Sequence, residues 1–147
     1  MNLVDALLGE HGVIRGMLLR LLREQHEPGT PVAADGFALL EEALASHAVI
    51  EDELLFDGLL TLKPGVAQVL ASMRGEHSAI RASLAGLSRT RQEIRRGQIE
   101  DFVELVLEHF AVEERTLFPM AQGLLSPEEL AAAGREWAKR RSVQLEV

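Results

Sequence analysis

His109-Phe-Ala-Val-Glu113-Glu-Arg-Thr-Leu117-Phe118-Pro119 decides how the rest of the chain is read. A histidine and a carboxylate four residues apart share one face of a helix, one turn from each other. The phrase occurs earlier as His47-Ala-Val-Ile-Glu51-Asp-Glu-Leu-Leu55-Phe56, agreeing at the histidine, the glutamate, the acid after it, the leucine and the phenylalanine. Two copies of a metal-ligand spacing in one chain are hard to obtain by accident.

Aligning the other histidines extends the repeat. Gly9-Glu10-His11-Gly-Val-Ile14-Arg15-Gly-Met-Leu18-Leu-Arg-Leu21 reads against Gly75-Glu76-His77-Ser-Ala-Ile80-Arg81-Ala-Ser-Leu84-Ala-Gly-Leu87, identical at seven of thirteen positions. The chain is therefore two copies of one helical hairpin. Each copy has a histidine on its first helix and a His/Glu pair on its second.

Helix is the expected state throughout, since alanine, leucine, glutamate and arginine dominate and aromatics are only 4%. The first helix is predicted over about Leu3 to Glu27, stopped by Pro28-Gly29-Thr30-Pro31. The second is predicted over Ala33 to Thr61, with Phe37, Leu40, Leu44, His47, Glu51 and Leu55 on one stripe and Lys63-Pro64-Gly65 after it. The third is predicted from Gly65 to Arg96, closed by Gly97, with Arg95 and Arg96 as cations in its last turn. The fourth, Ile99 to Gln122, carries Phe102, Leu105, His109, Glu113 and Leu117, and Pro119 should kink or end it. Ser126-Pro127-Glu128-Glu129 opens a short fifth helix, with a capping serine, proline at the first position and acids in the first turn.

The 147 residues suit one domain with a single core, and 47% hydrophobic content is enough to fill it. No apolar run is long enough to span a bilayer, and the N-terminus lacks the pattern of a signal peptide, so the expected location is the cytoplasm. With no cysteine, thiolate sites and disulfides are excluded, and any metal must be held by nitrogen and oxygen. A net charge of −8 disfavours nucleic acid as a partner. The basic clusters Arg89–Arg96 and Lys139–Arg141 read as solvated helix ends.

A metal site requires that the helices bring their ligands to one height. His11 lies about 16 residues before the first turn and His47 about 15 after it, each roughly 24 Å of helix. The second hairpin balances as well. The third does not, since His77 precedes Gly97 by 20 residues and His109 follows it by 12. The third helix is therefore expected to overshoot, or its connection to double back. In favour of a metal, Glu51 and Glu113 fall on stripes that otherwise bury leucine and phenylalanine, where an unpaired carboxylate costs several kcal/mol. A cation removes that cost for both.

With this order and spacing, His…His-x-x-x-Glu…His…His-x-x-x-Glu over residues 3–122, the chain resembles the hemerythrin-like proteins, or HHE cation-binding domains. The tails Leu55-Phe56 and Leu117-Phe118-Pro119 strengthen the likeness. The ferritin-like di-iron class uses Glu-x-x-His, which these spacings do not match. The resemblance implies an all-α, antiparallel up-down-up-down four-helix bundle over residues 1–125, around two non-haem iron ions. Residues 126–147 would add a short C-terminal helix, packed on the bundle or forming a homodimer contact. By that resemblance His11 and His47 bind one iron, His77 and His109 the other, and Glu51 and Glu113 bridge them. Manganese and zinc are the less favoured ions.

The chain departs from the oxygen-carrying members of that family. They have a second histidine one turn before the one on the third helix, and that position here is Met73. They also commonly place aspartate five residues after the last histidine, where this chain has Glu113 at four. One fewer fixed ligand leaves more positions for water, peroxide or oxygen.

Other residues carry less. Glu10 and Glu76 should point about 100° away from the ligand face, into solvent or into the shell around the ligands. Arg15 and Arg81 could hydrogen-bond the bridging carboxylates, but are expected instead to snorkel past the core. His26 should lie exposed at a helix end, while Met73, Phe56, Phe110 and Phe118 pack the core and partly wall the site. Three functions are consistent with such a chain. It could hold a di-iron site for O2, peroxide or nitric oxide, act as an iron-responsive interaction module, or be a bundle that keeps metal for stability alone.

Overall fold

The structure is a computed structural model that describes residues 1–24, 34–90 and 93–145. The expected stop at Pro28–Pro31, the last residues of the predicted first helix and His26 lie outside the described residues. Those described are helical, with no strand among them.

The first rod is α1 (Leu3–Glu24), which buries Leu3, Val4, Leu7, His11, Ile14, Leu18 and Leu21 at spacings of three and four. The second is built from α2 (Ala34–Glu51), a π-helical turn (Asp52–Phe56) and α3 (Asp57–Leu62). A 3-10 turn (Pro64–Val66) with proline at its start leads into α4 (Ala67–Arg89). The fourth rod joins α5 (Arg96–Val112), a second π-helical turn (Glu113–Leu117) and α6 (Phe118–Leu124), and α7 (Pro127–Arg140) follows. Contacts run α1 to α2, α2 to α4, α4 to α5 and α5 back to α1, closing a ring of four helices. Outside the ring, α7 lies on α1 and touches the first π-helical turn.

The third helix ends at Arg89, not at Arg96. Its last carbonyls are taken by Thr90, whose N–H donates to Leu87 O and whose hydroxyl donates to Gly86 O at 3.1 Å. Arg95 is extended and starts the next helix, with its N–H donating to the Gln98 side chain at 2.9 Å. Gly97 therefore sits in a first turn instead of closing a last one. Arg96 gains a local carboxylate, Glu100 at 2.6 Å. This correction also evens the third hairpin, since His77 now stands 12 residues before Arg89 and His109 13 after Arg96. No overshoot is needed.

The two π-helical turns were not expected. Asp57 N–H donates to Asp52 O and Phe118 N–H to Glu113 O, each spanning five residues instead of four. The extra residue lets consecutive side chains face inward together. Leu55 with Phe56, and Leu117 with Phe118, are all at most 2% exposed. It also explains Pro119, which neither ends the rod nor needs to, because it follows a turn already widened where proline would clash. Leu105, placed on the buried stripe by sequence, is 39% exposed, and Val106 takes its place.

The apolar core is in two parts. One gathers Ile14, Leu18, Phe37, Leu40, Ile80, Leu84, Phe102 and Phe110 with their neighbours. The other gathers Leu3, Leu7, Leu55, Phe56, Leu59, Leu70, Met73, Leu117 and Phe118. Met73 is thus packed among apolar side chains, as its thioether favours. Each fully buried leucine or phenylalanine stabilises the fold by about 1.5–3 kcal/mol. Between the two parts, in sequence on every rod of the ring, lie the buried polar residues.

Candidate metal centre

The buried polar residues among those described are His11, His47, Glu51, His77, His109 and Glu113, each at most 4% exposed. They are the six residues singled out from sequence. The helix periodicity that buries leucine and phenylalanine on each rod brings them inward as well. Glu51, His77, His109 and Glu113 form one group of mutually close donor atoms, and His11, His47 and Glu113 form another. Glu113 belongs to both. The paired rings are alike, with centroids 4.9 Å apart for His11 and His47 and 4.8 Å for His77 and His109.

Every imidazole has an outer carboxylate at Nδ1. Glu114 lies 2.7 Å from His11, Glu10 2.7 Å from His47 and Glu76 2.7 Å from His109, while Asp52 is looser at 3.5 Å from His77. An ionised carboxylate only accepts, so in the three close pairs Nδ1 carries a proton and Nε2, facing the interior, is the atom left to bind a proton or a metal. The pattern repeats with the sequence. The acid before each first-helix histidine holds the second-helix histidine of the same hairpin. The acid after each buried glutamate, Asp52 or Glu114, faces the first-helix histidine of the other hairpin. Asp52 and Glu114 were missed as partners, although each was visible as the acid shared by the two His-x-x-x-Glu phrases. Arg15 does not snorkel to solvent but donates to Glu114 at 2.8 Å.

Inside, Nε2 atoms and carboxylate oxygens crowd together and only some of them satisfy one another. His11 Nε2 and His47 Nε2 are 3.2 Å apart, close enough to share one proton or to hold one cation in its place. His109 Nε2 lies 2.7 Å from Glu113 Oε1, yet the two are not aligned as donor and acceptor. Both oxygens of Glu51 and Oε2 of Glu113 are buried without a hydrogen-bond partner. Unpaired buried carboxylate oxygens are costly, and a bound cation is the economical remedy. Four imidazole nitrogens and two carboxylates fit iron, manganese or zinc, and suit no ion that needs sulfur.

The electrostatics agree. Burial raises the Glu51 carboxyl, and the neighbouring Glu113 raises it further. Burial works the same way on Glu113, but His109, His11 and His77 overcome it and hold that carboxyl far below the usual range. Burial pushes His77 down, yet Glu113 and Glu51 together pull it up to about 10. The cluster attracts positive charge strongly enough to take it as protons, and a metal must displace them.

The walls are aromatic. Phe110 stacks on His11 with centroids 3.8 Å apart, Phe118 lies 5.4 Å from the same ring and Phe56 5.9 Å from His77. Arg74 reaches over Phe56 and donates to Asp57 at 2.7 Å, clamping the first π-helical turn.

No helix among the described residues is long and apolar enough to cross a membrane. No curated protein and no solved structure matches the chain. The family model of the hemerythrin HHE cation binding domain matches residues 2–121, a span that holds all six buried polar residues. Repeat, ligand geometry and family match converge on one statement: the chain belongs to the hemerythrin HHE cation-binding domain family.

Proposed function

We propose that residues 1–125 form an antiparallel up-down-up-down bundle holding two non-haem iron ions, and that the site reacts with O2, peroxide or nitric oxide. In this reading His11 and His47 hold one ion, His77 and His109 the other, and Glu51 and Glu113 bridge both. The observation that carries it is the burial of six nitrogen and oxygen donors, with both Glu51 oxygens, Glu113 Oε2 and His109 Nε2 left without a hydrogen-bond partner. When bound, two irons supply electrons and open coordination positions to a small oxygen species.

The protein's own residues set the conditions. The outer carboxylates Glu10, Glu76 and Glu114 keep protons on Nδ1, so that each Nε2 stays free to ligate. The phenylalanine wall keeps bulk water away, which strengthens every charge interaction inside. Met73 packs instead of ligating, so the His77 half has one fixed ligand fewer than the oxygen carriers.

Reaction instead of carriage is the expected outcome. Diferrous protein mixed with oxygen should convert rapidly to the oxidised form and turn over peroxide, and purging with inert gas should not restore the starting spectrum. Met73→His should shift the balance towards reversible binding. A visible band in the wild type that vanishes on purging and returns through many cycles would contradict the reading.

The second reading, a metal-responsive interaction module, has its own observation. The C-terminal helix α7 is hydrogen-bonded to a carboxylate that holds one of the histidines.

A further inference from the structure

The two halves of the site are built alike but supported differently. Glu10 Oε2 lies 2.7 Å from His47 Nδ1. Its other oxygen accepts two hydrogen bonds from α7, from Trp137 Nε1 at 2.7 Å and Arg141 Nε at 2.8 Å. Arg141 also donates from Nη1 to Ser46 Oγ at 3.1 Å. Glu10 precedes His11 and Ser46 precedes His47, so α7 grips the backbone neighbours of both histidines of one half. Its Lys139–Arg141 cluster is therefore more than a solvated helix end.

The middle of α7 is seated closely as well. A Cβ added at Gly134 would meet Asn2 C at 2.9 Å, so only glycine permits this approach to the start of α1. Alongside, a groove of about 510 Å³ runs between α1, α2 and α7, lined in part by Gly9, Val13, Ser46 and Trp137. Leu130, Gly134 and Ala138 bury one face of α7, and the hydrogen bonds to Glu10 anchor its C-terminal end beside the groove.

The His77/His109 half has no such brace from α7: Arg74 lies 3.4 Å from Asp52, the acid beside His77, but Glu76 lies open. Glu76 holds His109 at 2.7 Å, as Glu10 holds His47, but its side chain is 44% exposed. Among the described residues no helix covers it as α7 covers Glu10, whose side chain is 13% exposed.

We propose that α7 is a positioning element for one half of the metal site: Trp137 and Arg141 fix Glu10, which fixes His47, so docking of α7 and metal binding by His11/His47 are one linked event. The proposal rests on the two-ion reading above. Linkage is reciprocal, so a docked α7 tightens that ion and the ion tightens the dock. The ion of the unbraced half exchanges first. A partner that lifts α7 would loosen one ion and leave the other, which gives the fold a route from metal occupancy to its outer surface.

The test uses the full chain loaded anaerobically with ferrous ion alone. Wild type, Trp137→Phe, Arg141→Gln and the double variant are challenged with a graded ferrous chelator, and retained metal is counted. Outer partners of metal-bound histidines are worth about 10-fold or more in affinity. The double variant should therefore release one of its two ions at about 10-fold lower chelator concentration, with the second ion released as in wild type. Glu76→Gln should weaken a single ion too, and combined with the double variant should weaken both. Trp137 is the chain's one tryptophan, and its emission in wild type should change as one equivalent of ion is bound and not with the other. Trp137→Phe keeps a smaller aromatic ring and removes the N–H that reaches Glu10, so it serves if the double variant fails to fold.

Release of both ions in step with wild type would overturn the proposal while leaving the two-ion reading intact. So would equal weakening of both ions, the mark of a general structural role. A wild type that binds fewer than two ions would fail the two-ion reading, and this proposal with it.

Discussion

Glu113→Ala is expected to leave the protein with almost no bound metal. Glu113 is the residue common to both donor groups. Its Oε1 lies 2.7 Å from His109 Nε2 and 3.4 Å from His77 Nε2, and its Oε2 lies 3.2 Å from His11 Nε2. Removing it takes a ligand from each ion at once. Glu51, 3.2 Å from His77 Nε2 and 4.0 Å from His47 Nε2, leans to one half, so Glu51→Ala should cost the His77/His109 ion first. Truncating one member of a buried ionic pair also destabilises by about 3–5 kcal/mol, which should lower the melting temperature of the metal-free variant. Metal content after anaerobic loading is the measurement. Two alanine variants that both retain full metal would remove the bridging roles.

The second large effect is the coupling of metal to stability. The six donors sit on all four rods of the ring, and the ions bind the folded form alone. At a free metal concentration 1,000 times Kd each ion adds about 4 kcal/mol, or roughly 8–16 °C in Tm for a chain of this size. The gap should also depend on pH. His77 has a folded-state pKa of about 10 against an ordinary 6.5. In metal-free protein its contribution to stability is therefore complete below pH 6.5 and lost as pH rises through 10. Metal competes against fewer protons over the same range, so the difference between loaded and metal-free Tm should widen from pH 6.5 upwards. Equal melting temperatures in both forms would show that the bundle closes on packing alone.

The donor set was readable because helix periodicity is local. His47 and Glu51, or His109 and Glu113, declare a shared face within five residues, and the repeat of Glu10-His11 in Glu76-His77 supplies the rest. The start of α7 was equally plain, with Ser126 and Glu129 capping each other at 3.2 and 2.7 Å. The turn after α4 was misplaced because Gly97 is a strong punctuation mark on paper, whereas the real stop uses a threonine and a glutamine bonding to nearby backbone. The π-helical turns left no composition signal, since one added residue per turn changes which side chains face inward and not what they are. The Nδ1 carboxylates were half legible. Their identity stood beside the ligands, but their targets lie on other helices, and Glu10 meets Trp137 across 127 residues of chain. Pairing across such a distance follows from packing, which sequence spacing does not encode.

The central claim is that one chain holds two ions in a shared carboxylate-bridged cluster. Full-length protein stripped of metal, loaded anaerobically with excess ferrous ion and freed of unbound metal, should contain two irons per chain by elemental analysis. A content of one or fewer would contradict it.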